Sequence, residues 1–235
     1  MVFQYTLSER IIMGILNALS NFVILPTIFL VYHHKDIFSY YIAYFSLLVS
    51  VMYHLCESLD IVVILEQLKW HELDNIGAIY SFSQMTLPLT KLNKNLNYKT
   101  KKNYIFFFFL LLIQQRGPWV LFNTIFPIVF DFSMSFVLMY IYGKPKFNKS
   151  TVQKAGIFMS ISLFFFYKGL DDLNDYLRIW HAFWHIFISI TSFYFLQIQE
   201  EKCISFLEMF YIYFGYNKNK LDNNIKEKEK EVMIV

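Results

Sequence analysis

Long apolar runs separated by short charged stretches dominate this chain, and they leave it few folds. A helix needs about 20 mostly apolar residues to cross a bilayer, and inside lipid only helices and closed barrels satisfy every backbone polar group. Seven runs approach that length, at about 11–32, 37–56, 73–89, 103–115, 120–142, 152–168 and 177–198. Only 17% of the 235 residues are charged, against about 25% in ordinary soluble domains. The expectation is an all-α, polytopic seven-transmembrane bundle over residues 1–200, followed at 201–235 by a cytoplasmic amphipathic segment and a disordered tail. The first run lacks a small-residue cleavage site and reads as a retained span rather than a signal peptide. Two amphipathic stretches are too short to span, and both read as interfacial helices. One is 60–70, between the second and third spans, and re-entrant as the alternative; the other is 203–216.

The cations set an orientation. Sixteen of the 21 lysines and arginines fall on one side of a seven-span topology. They are Lys35 after span one, Lys91, Lys94, Lys99, Lys101 and Lys102 after span three, Lys144, Lys146, Lys149 and Lys154 after span five, and the lysines of the tail. Arg10, Lys69, Arg116, Lys168 and Arg178 lie on the other. By the positive-inside rule the lysine-rich side is cytoplasmic, so the N-terminus faces outward or into a lumen, in the plasma membrane or an endomembrane. The net charge of +3 therefore reflects membrane orientation, and no nucleic-acid partner is expected. Two cysteines, Cys56 and Cys203, are too few for a disulfide framework. No glycine-rich phosphate loop and no Gly-x-Ser-x-Gly elbow occurs.

The same orientation gathers polar residues at one depth. Span two ends outward at His54, span three opens with Asp74, and span seven opens with His181 and His185. Ionisable groups at membrane depth are costly and mark functional positions. His181 and His185, four residues apart, share a helix face with Cβ atoms roughly 5–6 Å apart, which lets two imidazoles clasp one ion. His54 supplies a third ligand, and three histidines are the protein ligand count of a catalytic zinc site with one position open. Ser50 lies one turn deeper than His54. Such a zinc would acidify its water toward pKa ~7 and polarise a carbonyl. Asp74 would hold or deprotonate that water, and Ser50 would donate to a developing oxyanion. Each residue alone has a plainer reading. The histidine pair could bond neighbouring spans, Ser50 its own i−4 carbonyl, and Asp74 could cap span three.

Ser50-x-x-x-His54, Asp74 opening the third span and His181-x-x-x-His185 in the seventh resemble the pattern of the CREST superfamily. These are seven-span membrane proteins that include alkaline ceramidases and progestin and adiponectin receptors. The likeness is strongest to the myomaker-like branch, carried by "FVILPTIFLVY", "YHLCES", "LDNIGAIYS" and "DYLRIWHAFWH". The resemblance implies zinc on His54, His181 and His185, with Asp74 and Ser50 beside the water, and an outward N-terminus. One member of that branch is similar to a GPI-directed phospholipase A2, while myomaker acts in membrane fusion. Two departures from the branch are the lack of a large domain ahead of span one and of a C-terminal cysteine cluster.

The functional expectation is a zinc-dependent membrane hydrolase cleaving an ester or amide bond of a membrane lipid. The lipid would enter sideways from the outer leaflet, with its headgroup near the acidic outer loop of Asp171, Asp172 and Asp175. The alternative is a non-enzymatic receptor, scaffold or fusion-related protein with a structural zinc. A transporter using Asp131 and the histidines as a proton relay is a third reading, without the paired broken spans it would need. Asp131, deep in span five, requires a partner that the pattern does not name. Cys56 reads as a packing residue, and His33, His34 and His71 as interface residues.

Overall fold

The structure is a computed structural model that describes residues 5–171 and 174–213. Among them it is helical throughout, with no strand beyond one isolated bridge between Val63 and Leu65. Asp172, the tail lysines from Lys218 onward and the expected disordered tail lie outside the described residues.

The first long apolar stretch forms α1 (Leu7–Asn21), a 3-10 turn (Phe22–Ile24) and α2 (Leu25–His33). Thr6 and Glu9 close a capping box at the start of α1. Pro26 sits in the first turn of α2, where its missing N–H costs no helical bond. Then come α3 (Ile37–Leu59), α4 (Gln67–Thr86), α5 (Leu96–Gln114), α6 (Leu121–Tyr142), α7 (Lys149–Gly169), α8 (Ile179–Phe195) and α9 (Phe206–Tyr213). Among the described residues, three helical stretches are long and apolar enough to cross a membrane: Leu7–His33, Ile37–Leu59 and Leu121–Tyr142. Large apolar side chains also stay exposed on other helices, including Ile105, Phe108 and Leu112 of α5 and Ile157, Leu163 and Phe164 of α7.

Helix α1 packs between α3 and α8, while α4 lies between α3 and the α5–α6 pair. At the α3–α4 crossing, Gly77 lets the backbones close: a Cβ there would stand 3.0 Å from Ser46 Cα. The Ser46 hydroxyl donates to the Gly77 carbonyl across the same gap (3.0 Å). Helix α7 rests almost wholly on α8, and α6 on α4 and α5, so α6 and α7 hardly touch. Pro127 inside α6 cannot donate to the Asn123 carbonyl. The Gln114 side chain donates to that carbonyl instead (2.9 Å), which ties α5 to α6.

Several expected boundaries move. Residues 60–70 form no separate amphipathic helix. Asp60 ends α3 in the left-handed region (φ 55°), Ile64 also has positive φ, and residues 67–70 are already the first turn of α4. The Trp70 indole donates to the Val63 carbonyl (2.8 Å) and packs on Val49, Tyr53 and Cys56, so the apolar periodicity there belongs to a pinned link. Because α4 starts at Gln67, Asp74 lies about two turns inside it and does not cap it. Helix α5 starts at Leu96 rather than near 103, capped by Asn95. Its first turns are lysine-rich and carry no hydropathy signal. Helix α8 starts at Ile179, because Leu177 and Arg178 are left-handed (φ 57° each). In the segment around Cys203, α9 covers Phe206–Tyr213 and buries Met209 against Phe193, Tyr194 and Ile198.

Candidate metal centre

The last two turns of α3 and the first two of α8 meet at one end of the bundle. There the ring centroids of His54, His181 and His185 stand 4.6–4.9 Å apart. One ring nitrogen from each lies within 4.8 Å of the other two. A tetrahedral ion with Zn–N bonds of 2.0–2.1 Å needs nitrogens about 3.3 Å apart, so at most about 1.5 Å of closing brings all three onto one ion. His54 and His185 are buried and His181 partly so. The buried Nε2 atoms of His54 and His181 have no hydrogen-bond partner. Buried polar atoms are normally paired, so two orphaned nitrogens facing a third imidazole suit a metal cation.

The opposite ring nitrogens explain why Nε2 is presented. The Ser20 hydroxyl donates to the Asn17 carbonyl (2.7 Å), which leaves its oxygen to accept from His185 Nδ1 (3.0 Å). The Nδ1 of His54 faces the Glu57 carboxylate (3.3 Å). Each contact favours the Nδ1–H tautomer and turns the Nε2 lone pair toward the cluster, as the outer partners of metal-binding histidines do. Glu57 also accepts from the Tyr53 hydroxyl (2.7 Å) and lies 4.0 Å from the Arg178 guanidinium. Neither Ser20 nor Glu57 stood out in the sequence. Glu57 follows His54 at i+3, a usable signal; Ser20 comes from α1 and had none.

Backbone geometry places His181. The buried Asp175 accepts from the N–H groups of Trp180 (2.9 Å) and His181 (3.1 Å), fastening the open end of α8. Burial raises the Asp175 carboxyl from its ordinary value, and the N–H donors of Trp180, His181 and Ile179 pull it back. Asp175 is therefore a structural cap, unlike the solvated acidic loop to which the sequence assigned it; Asp171 stays exposed. Gly169 brings α7 against α8, since a Cβ at this position would lie 3.1 Å from both His181 Cα and N.

Ser50 of α3 and Asp74 of α4 lie near each other across the α3–α4 seam. Both border a cavity of about 620 Å³, as do His181 and His185, within the range of ligand pockets. The cavity follows Asp74, Ala78, Phe82 and Met85 down α4 and His181, His185, Ile188 and Ser192 down α8, an ~16 Å run on each helix. Its floor closes where the Ser192 hydroxyl meets Met85 Sδ (3.4 Å). Ile125, Ile128 and Val129 of α6, with Leu163 and Phe166 of α7 and Leu170 just past its end, form its side, where those two helices hardly touch. His71 lies at the polar end between Tyr53 and Trp119 (ring centroids 4.7 and 3.9 Å) and lines the cavity rather than the outer surface.

Asp131 belongs elsewhere. It pairs with Lys102 of α5 (3.0 Å) and accepts from Thr86 of α4 (2.8 Å), about 18 Å along α4 from Asp74. Cys56 is buried and free, packed among Val49, Tyr53 and Trp70.

Fold and site together define an all-helical protein with membrane-length apolar helices and a buried three-histidine cluster beside a deep cavity. The chain belongs to a family described as protein of unknown function (DUF3522), whose model matches residues 9–186. That match takes in Ser20, Ser50, His54, Glu57, Asp74, His181 and His185. No curated protein matches the chain.

Proposed function

We propose that this protein is a zinc-dependent integral-membrane hydrolase that cleaves an ester or amide bond of a membrane lipid at the non-cytoplasmic leaflet. In this reading α1–α2 act as one span and α3 to α8 as six more, with the N-terminus and the histidine cluster outward, as the lysine asymmetry favours. The arrangement also suits a myomaker-like member of the CREST superfamily. The observation that carries the reading is the cluster of His54, His181 and His185, with orphaned Nε2 atoms on His54 and His181, beside a deep cavity that His181 and His185 line. A structural zinc site is closed by four protein ligands, whereas three ligands beside a cavity leave a position for water and substrate.

When bound to the three Nε2 atoms, zinc would polarise the scissile carbonyl and acidify a water. Ser20 and Glu57 hold the His185 and His54 rings in the required tautomer. Asp74 is the general base and borders the cavity, where Ser50, also in the lining, would donate to the developing oxyanion. The apolar walls contributed by α4, α6 and α8 take the acyl chain and exclude bulk water. Weak contact between α6 and α7 supplies a side entrance from the bilayer.

The test is metal analysis and lipid turnover on the purified full chain. One zinc per chain is expected, lost in His181→Ala. Asp74→Asn should keep the zinc and abolish release of fatty acid from mixed-lipid vesicles. Full zinc and full turnover in His181→Ala would refute the reading. Full cellular function in Asp74→Asn, with zinc required, would favour a structural metal instead.

A further inference from the structure

Among the described residues, the lining of the cavity contains one permanently cationic side chain, Arg178, and one carboxylate, Asp74. Arg178 is the residue immediately before α8 and stands three residues, about one helical turn or ~5 Å, outward of His181. Arg178 shares the polar end of the cavity lining with His71, His181 and His185.

The chain holds this arginine there at a cost. Leu177 and Arg178 are consecutive non-glycine residues with positive φ, a conformation that persists only where the surroundings over-determine it. Three contacts do so. Asp175 caps α8 just beyond the turn, the Asn17 amide donates to the Leu177 carbonyl (3.4 Å), and the Tyr176 hydroxyl donates to Glu9. Two of these contacts come from α1, the helix that also supplies Ser20 to His185. Glu57 forms an ion pair with Arg178 at 4.0 Å and also engages His54 and Tyr53.

We propose that Arg178 is the headgroup anchor of this cavity and recognises the phosphate of a phosphodiester lipid whose acyl chain lies between α4 and α8. A guanidinium matches phosphate with paired N–H donors. In a glycerophospholipid the phosphate lies a few bonds outward of the acyl ester, the same order of spacing as Arg178 above His181. The assignment rests on the hydrolase reading for its chemistry but makes its own claim about binding.

The experiment compares two probes on the full chain in detergent micelles. One is a phosphatidylcholine with a fluorescent acyl chain, and the other is the diacylglycerol carrying the same two chains. The phosphatidylcholine should bind at least tenfold tighter to the wild type. Arg178→Gln should bring the ratio near one, with zinc content and diacylglycerol binding unchanged, and Arg178→Lys should restore part of it. A wild-type ratio near one overturns the proposal, as does a ratio untouched by Arg178→Gln. Displacement of the phosphatidylcholine by equimolar inorganic phosphate would assign the site to the free ion and overturn the lipid assignment. Should the glutamine variant misfold, the wild-type ratio decides. Absence of turnover with a preserved headgroup preference would sink the hydrolase reading while leaving this one standing.

Discussion

Replacing Asp131 by leucine should destabilise the protein, and replacing Lys102 by methionine as well should repair most of the damage. Asp131 is buried and Lys102 nearly so, 3.0 Å apart, and the Thr86 hydroxyl donates to the same carboxylate oxygen at 2.8 Å. Removing one member of a buried pair costs about 3–5 kcal/mol, because the other charge is left uncompensated. Two features put Asp131→Leu at the lower end. Lys102 lies six residues into α5, ~9 Å from its start, so its four-carbon stem can draw the ammonium toward the aqueous face. The Thr86 hydroxyl also lies 2.8 Å from the Ser83 carbonyl, to which its one proton can turn when Asp131 is gone. A loss of about 3 kcal/mol follows, roughly 6–12 °C in Tm for a chain of this size. With both charges gone, packed apolar side chains replace them and the double variant should lie within about 1 kcal/mol of the parent. The assay is thermal unfolding of the four proteins of the cycle in detergent, followed by circular dichroism. Losses that simply add in the double variant would refute the pairing.

Three further outcomes are expected. Glu57→Gln should weaken zinc retention by about 10–100-fold in a chelator competition, through a misoriented His54; unchanged retention would remove Glu57 from the site. Gly169→Ala should cost about 1–3 kcal/mol and lower zinc occupancy, because the new methyl group meets the His181 backbone at 3.1 Å; a Tm equal to wild type would count against that contact. Asp175→Ala, which strips two N–H groups of α8 of their acceptor, should lower stability by about 1 kcal/mol, and Asp175→Asn should recover part of it in the same melt.

Much of the candidate site was legible before any fold was known. His181 and His185 are one helical step apart, and so are Ser50 and His54, and that spacing survives however the helices pack. Placing them at one depth needed only the direction of each apolar run. Other readings failed for a physical reason. The apolar residues of 60–70 resemble a helix face because periodicity does not distinguish a helix from a link pinned by Trp70. The lysine-rich start of α5 looked like loop because hydropathy is blind to a polar helix turn. Asp175 looked solvated because its partners are backbone N–H groups, which no side-chain pattern advertises.

Local spacing and solubility, then, were decided by the amino-acid sequence: all-helical structure, membrane-length apolar stretches, and which polar side chains share a face. Contacts between residues far apart in the chain were decided only by the tertiary structure. Ser20 reaches His185 across 165 positions and Thr86 reaches Asp131 across 45. The cavity lies between α4 and α8, beside the point where the His54 ring of α3 meets His181 and His185 of α8. Composition dictates burial, which is non-directional, whereas hydrogen bonds and ion pairs demand particular partners at particular distances, and only packing supplies those.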